Sequence, residues 1–153
     1  MKKVLMNVCV ISVMIFAFVC TVQAATLEEA KDLGIKAAAY AKKVGKTAAV
    51  KEMNTPKNQF DKGELYVTLQ DLSGVALANP KMPSLAGQNH LNLKDPTGKL
   101  FIQENIAIAK SPAGSGWVTY TWSNPATKKA QAKKAWVQRV EGTDMYTLSG
   151  LFQ

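Results

Sequence analysis

The chain has 153 residues, a formal net charge of +8, one histidine and two cysteines. That length carries one domain and not two, and a single His argues against a His-based zinc site or a Ser-His-Asp triad. Met1-Lys2-Lys3 is a short basic start, an apolar run follows over 4–19, and Thr21-Val22-Gln23-Ala24 puts compact residues where a signal peptidase reads. This pattern predicts a secretory signal peptide over 1–24 with cleavage after Ala24. The run is also close to the roughly 20 apolar residues of a membrane span, so an uncleaved anchor is the alternative. Against the anchor, the run ends in a cleavage site and not in basic stop-transfer residues; against a lipoprotein, Val19 is a poor residue before Cys20. Cleavage would leave 129 residues (153 less 24) with 17 Lys+Arg and 11 Asp+Glu, a charge of +6. Cys9 and Cys20 would leave with the signal peptide, and with them any disulfide, thiolate nucleophile or cysteine metal site.

Helical spacing then runs from Thr26 to about Asn54. Thr26 suits an N-cap, Glu28 and Glu29 favour the first turn, and Glu29 stands three residues on, as a capping box requires. Leu27, Ala30, Leu33, Ala37, Ala38, Ala41 and Val44 form one apolar stripe. Gly45 breaks the helix, a shorter one covers 46–53, and Asn54-Thr55-Pro56 stops it. Beyond Pro56 the period falls to two. A strand over 64–70, the turn Asp71-Leu72-Ser73-Gly74 and a strand over 75–78 make a hairpin. Residues 79–87 are irregular, Asp95-Pro96-Thr97-Gly98 is a turn, and 100–110 is an amphipathic helix with Phe101, Ile102, Ile106 and Ala109 inward. Strands over 116–122, 132–140 and 145–152 follow, the first two joined by a loop with Lys128 and Lys129 near its tip. Five mostly antiparallel strands, with a long N-terminal helix to cover one face, define an α+β domain.

These segments resemble, in order and spacing, the Cache family of extracytoplasmic sensor domains, and more narrowly its single-Cache type two branch. The likeness is carried by Ala41-Lys42-Lys43-Val44-Gly45-Lys46 with Met53-Asn54-Thr55-Pro56, and by Gly63-Glu64-Leu65-Tyr66-Val67 running on to Asp71-Leu72-Ser73-Gly74-Val75-Ala76-Leu77-Ala78-Asn79-Pro80. Leu85-Ala86-Gly87-Gln88-Asn89, Asp95-Pro96-Thr97-Gly98-Lys99 and Gly116-Trp117-Val118-Thr119-Tyr120-Thr121-Trp122-Ser123-Asn124-Pro125 continue it. The resemblance implies a PAS-like fold with a long N-terminal helix on a five-stranded antiparallel sheet, one Cache domain over 25–153, and a pocket between sheet and covering loops. Such domains sit on chemoreceptors and sensor kinases and bind small metabolites, often short carboxylates. With nothing after Phe152-Gln153, the chain resembles the family's stand-alone exported form, without an output domain of its own.

Lys133 stands three residues before Trp136, where the family often has Lys-x-x-Tyr. In a strand Lys133 and Ala135 share one face, and Lys134 and Trp136 the other. An inward Lys133 needs a partner for its ammonium, and a ligand carboxylate would supply one; an outward one is an ordinary solvated lysine. Tyr120 and Trp122 share a face and can wall a small organic anion with a phenol and an indole N–H, or simply belong to the core. Tyr66 faces either pocket or solvent, Phe101 and Trp136 suit packing or a pocket floor, and the Asn89-His90 pair suits a pocket lid or an exposed loop. Trp136 stands where the family usually has Tyr, which puts a hydroxyl contact there in doubt.

The expected function is a periplasmic or secreted domain that binds a small organic acid of the acetate, propionate or pyruvate class. Lys133, Tyr120, Trp122, Tyr66, Phe101, Trp136 and His90 are its candidate ligand-binding residues. The alternative is an accessory or interaction module of an envelope signalling complex with a vestigial pocket. A membrane sensor protein is the expected partner in either case, and the domain is expected to be a monomer or weak dimer. No cofactor is expected. An enzyme is disfavoured because no nucleophile–base pair and no metal cluster can be assembled. Nucleic acid is disfavoured because the lysines are dispersed and Arg139 is the one arginine.

Overall fold

The computed structural model describes residues 24–153, so the signal-peptide reading falls outside the described residues. Thr26 caps the first helix, α1 (Leu27–Val44). Its hydroxyl accepts the Glu29 N–H at 3.2 Å and the Glu29 carboxylate accepts the Thr26 N–H at 2.7 Å, so two otherwise orphaned donors are satisfied. Gly45, at φ 80°, closes α1 and opens α2 (Lys46–Asn54).

Six strands follow: β1 (Asp61–Lys62), β2 (Leu65–Asp71), β3 (Ala76–Ala78), β4 (Ser115–Ser123), β5 (Ala130–Arg139) and β6 (Met145–Phe152). The third helix, α3 (Phe101–Lys110), lies between β3 and β4. The antiparallel sheet runs β1-β2-β6-β5-β4, with β3 also paired to β2. The five strands expected from alternation are present, and the two-residue β1 is added at the edge. The architecture is α+β and PAS-like, as the residues led us to expect.

Each sheet face carries its own core. On one side α1 and α2 pack Ala37, Ala38, Ala41, Ala49 and Met53 against Val67, Leu69 and Met145. On the other, α3 packs Phe101, Ile102, Ile106 and Ala109 against Val118, Tyr120, Ala135 and Val137. All seven residues of β2 are buried because helices cover one of its faces and the loop and α3 layer covers the other. Gly150 on β6 is required by contact: a Cβ there would lie 2.3 Å from the Lys134 carbonyl oxygen and 2.5 Å from the Ala135 Cα.

The two predicted turns share one construction. In each, an aspartate Oδ1 accepts the backbone N–H and hydroxyl of the residue two on and the N–H four on. Asp71 does this with Ser73 and Val75, and Asp95 with Thr97 and Lys99. Gly74 and Gly98 follow at φ 94° and 89°, where only a side-chain-free residue is relaxed.

Candidate ligand-binding site

Period-two alternation delivers the site. On the α3 side of the sheet, β2 presents Tyr66, Thr68 and Gln70, β4 presents Tyr120 and Trp122, and β5 presents Lys133. α3 closes the cavity with Phe101 and Ile102, and the segment between β3 and α3 adds Leu85, His90 and Leu93. The enclosed volume is about 40 Å³. A water occupies roughly 10–15 Å³ on that scale, so the space suits a group of a few heavy atoms and not a sugar or nucleotide.

Lys133 is 3% exposed. Its Nζ sits 4.1 Å from the Tyr66 ring centre and 4.9 Å from that of Phe152, contacts that suit a cation but do not neutralise it. The ion pairs among the described residues do not include Lys133. Burial alone holds its pKa down to about 7 from the usual 10.5.

Tyr120 faces Lys133 directly across the β4–β5 ladder. Its ring stacks on Phe101 at 4.4 Å and 7°, and Trp122 tilts against Phe101 at 5.4 Å, giving a rigid aromatic wall. Burial, and secondarily the nearby Tyr66 and Tyr146, pushes the Tyr120 phenol up. Burial and then Asp61 do the same for Tyr66. Both phenols therefore stay protonated and able to donate at neutral pH.

The covering segment is pinned at both ends. His90 is half-buried, lines the cavity and donates its backbone N–H to the Gly74 carbonyl at 2.8 Å. Asp95 accepts the Thr121 N–H at 2.9 Å, which ties the second turn to β4. That hydrogen bond, followed by the Thr97 hydroxyl, holds the Asp95 carboxyl well below the usual carboxylate range.

Trp136 is a correction to the expected pocket floor. It lies on the opposite, α1-facing side of β5, with Lys31 Nζ 5.5 Å from its ring and Trp117 edge-on at 5.2 Å. Gly34 of α1 packs against it, where a Cβ would sit in ordinary contact, 3.5 Å from its Cδ1. Its N–H donates to Gln138 Oε1 at 3.1 Å. The other six sequence-predicted residues converge on the cavity. Thr68 and Gln70 were missed, although the alternation that singled out Tyr66 runs straight through them.

The fold and this site define a small-molecule sensor domain of PAS-like build. The family model described as Cache domain (dCache_2) matches residues 36–150, and the chain belongs to the Cache family as a single Cache domain. Cache domains are extracytoplasmic sensor domains that bind small ligands in chemoreceptors and sensor kinases. The sensor histidine kinase MctS of Rhizobium johnstonii (strain DSM 114642 / LMG 32736 / 3841) is 33% identical over 87 residues, which are 53% of this chain and 18% of the kinase. The chain therefore matches about a fifth of that relative's length.

Among solved structures, the methyl-accepting chemotaxis protein from Vibrio parahaemolyticus RIMD 2210633 superposes with a TM-score of 0.67 at 20% identity, over 82% of this chain and 85% of that one. A periplasmic sensor domain of a chemotaxis protein gives 0.65 at 26% identity, covering 82% and 89%. A Cache chemosensory domain described for its carboxylic acid recognition gives 0.62 at 25% identity, covering 82% and 87%. No helix among the described residues is long and apolar enough to cross a membrane.

Proposed function

We propose that the domain is a periplasmic receptor for a short carboxylate, with Lys133 as the charge partner, Tyr66 and Tyr120 as hydrogen-bond donors, and Phe101, Trp122 and His90 as enclosure. The observation that carries this is the Lys133 ammonium, buried at 3% exposure beside a cavity of about 40 Å³ and outside every ion pair among the described residues. A buried cation without an anion is costly, and a ligand carboxylate offsets that cost by pairing with it. The likeness to a domain described for carboxylic acid recognition supports the same chemistry. The signal would pass to a membrane sensor protein.

Size limits affinity. At a ceiling of about 1.5 kcal/mol per heavy atom, a four-atom acid reaches about −6 kcal/mol, or tens of micromolar. The test is a thermal-shift and calorimetric series with acetate, propionate and pyruvate. At least one acid should raise the melting temperature by mass action, and Lys133→Ala should cost about 2–5 kcal/mol of its affinity. Unchanged binding by the variant would remove Lys133 from the site. Absence of stabilisation by any short acid would favour the accessory-module reading.

A further inference from the structure

We infer that the cavity has a second, uncharged pole at Gln70, oriented by Tyr146 and backed by Asn105, which selects a short monocarboxylic acid bearing a carbonyl or hydroxyl oxygen away from its carboxylate. This deepens the proposed function and rests on its placing of the carboxylate at Lys133.

Gln70 lines the cavity on the same strand face as Tyr66, four residues along β2. The Tyr66 and Gln70 α-carbons are thus about 13 Å apart, and Lys133 Nζ lies against the Tyr66 ring at 4.1 Å, so the charged and uncharged poles are distinct groups on the wall. Tyr146 faces Gln70 in the β2–β6 register and donates its hydroxyl to Gln70 Oε1. That bond occupies the carboxamide oxygen and fixes the side chain, leaving the NH₂ group as donor toward an acceptor.

Asn105 backs this pair from α3. It lies three and four residues after Ile102 and Phe101, the two α3 residues that close the cavity, and so shares their helix face. It is 0% exposed and lies against the Tyr146 phenol, a polar contact that lowers the phenol's proton affinity against the larger raising effect of burial. Gln70, Tyr146 and Asn105 therefore form a buried polar layer, of which Gln70 reaches the cavity lining alongside Thr68 and Asn79.

The charge around this layer narrows the ligand. Lys133 is the one lysine, arginine or carboxylate side chain among the residues lining the cavity. A second carboxylate would meet no cation at the Gln70 end, whereas a neutral carbonyl or hydroxyl oxygen would meet a donor. The ligand read from both poles is an oxo- or hydroxy-monocarboxylate, in preference to a plain fatty acid or a dicarboxylate.

Isothermal calorimetry at neutral pH tests this with butanoate, 3-oxobutanoate, 3-hydroxybutanoate and butanedioate. At least one oxygenated monocarboxylate should bind about tenfold more tightly than the alkyl acid of equal carbon count, the yield of one well-placed hydrogen bond. Butanedioate should bind more weakly than that acid. Gln70→Met should shrink the preference to within about threefold while leaving the alkyl acid's affinity within about threefold. Tyr146→Phe, which keeps the ring and frees the carboxamide, should narrow the preference in the same direction and serves if Gln70→Met does not fold. Equal binding of oxygenated and alkyl acids, or a preference that survives both substitutions, overturns the second pole. Binding that requires Lys133 but ignores the added oxygen overturns this inference alone; binding of no acid overturns the proposed function as well.

Discussion

Lys133 sits between two aromatic rings with its ammonium almost wholly desolvated, and its proton becomes a measurable link between folding and binding. Its folded-state pKa is lowered to about 7 from 10.5. Between those values the unfolded chain holds the proton more tightly, so ligand-free stability should rise with pH from about 7 to 10.5. Below about 7 the penalty is fully in place, and the gap corresponds to about 5 kcal/mol. Lys133→Met, of similar shape and without charge, should abolish this rise and make the ligand-free protein more stable at pH 7. Urea unfolding from pH 6 to 10 reads both effects; a variant less stable than the parent at every pH would contradict them. A carboxylate that pairs with the charged amine should bind with proton uptake above pH 7, and its affinity should fall by up to about tenfold per pH unit there. Calorimetry in buffers of different ionisation enthalpy measures that uptake directly.

At the scale of elements, the β5–β6 ladder depends on Gly150. A methyl group there would overlap the Lys134 carbonyl and the Ala135 backbone at 2.3 and 2.5 Å, and backbone cannot swing away as a side-chain tip can. Gly150→Ala should therefore cost about 3 kcal/mol by chemical denaturation, the upper end of overpacking penalties. A loss below about 1 kcal/mol would show that the strands can separate locally. Local signals were the easiest to read from sequence. The capping box at Thr26 and Glu29, the break at Gly45 and both Asp-x-(Ser/Thr)-Gly turns depend on neighbours within four residues, and each forms where its residues predict. The two-residue β1 is just as local, with Lys62 paired to Leu65 across Gly63-Glu64, but two residues are too few to show alternation.

At the scale of the molecule, the sheet divides labour between its faces, α1 and α2 on one and the cavity on the other. Trp136→Ala, on the α1 face, should lower stability by about 2 kcal/mol, the indole being half-buried, and change acid affinity by less than about threefold. A large affinity loss with intact folding would mean the faces are coupled through the sheet. Alternation placed Trp136 opposite Lys133 from the outset; the expectation of a pocket floor followed family position and gave way to this geometry. Gln70, Tyr146 and Asn105 were not legible as a group, because they belong to three elements and Gln70 and Tyr146 stand 76 positions apart in the chain. A further consequence follows from β2, whose seven residues are all buried. One residue inserted there would send Val67 and Leu69 toward the ligand and Tyr66, Thr68 and Gln70 into the helices. Evolutionary length changes in this protein should therefore collect in exposed connections such as 126–129, while within β2 only even-numbered steps would preserve the cavity lining.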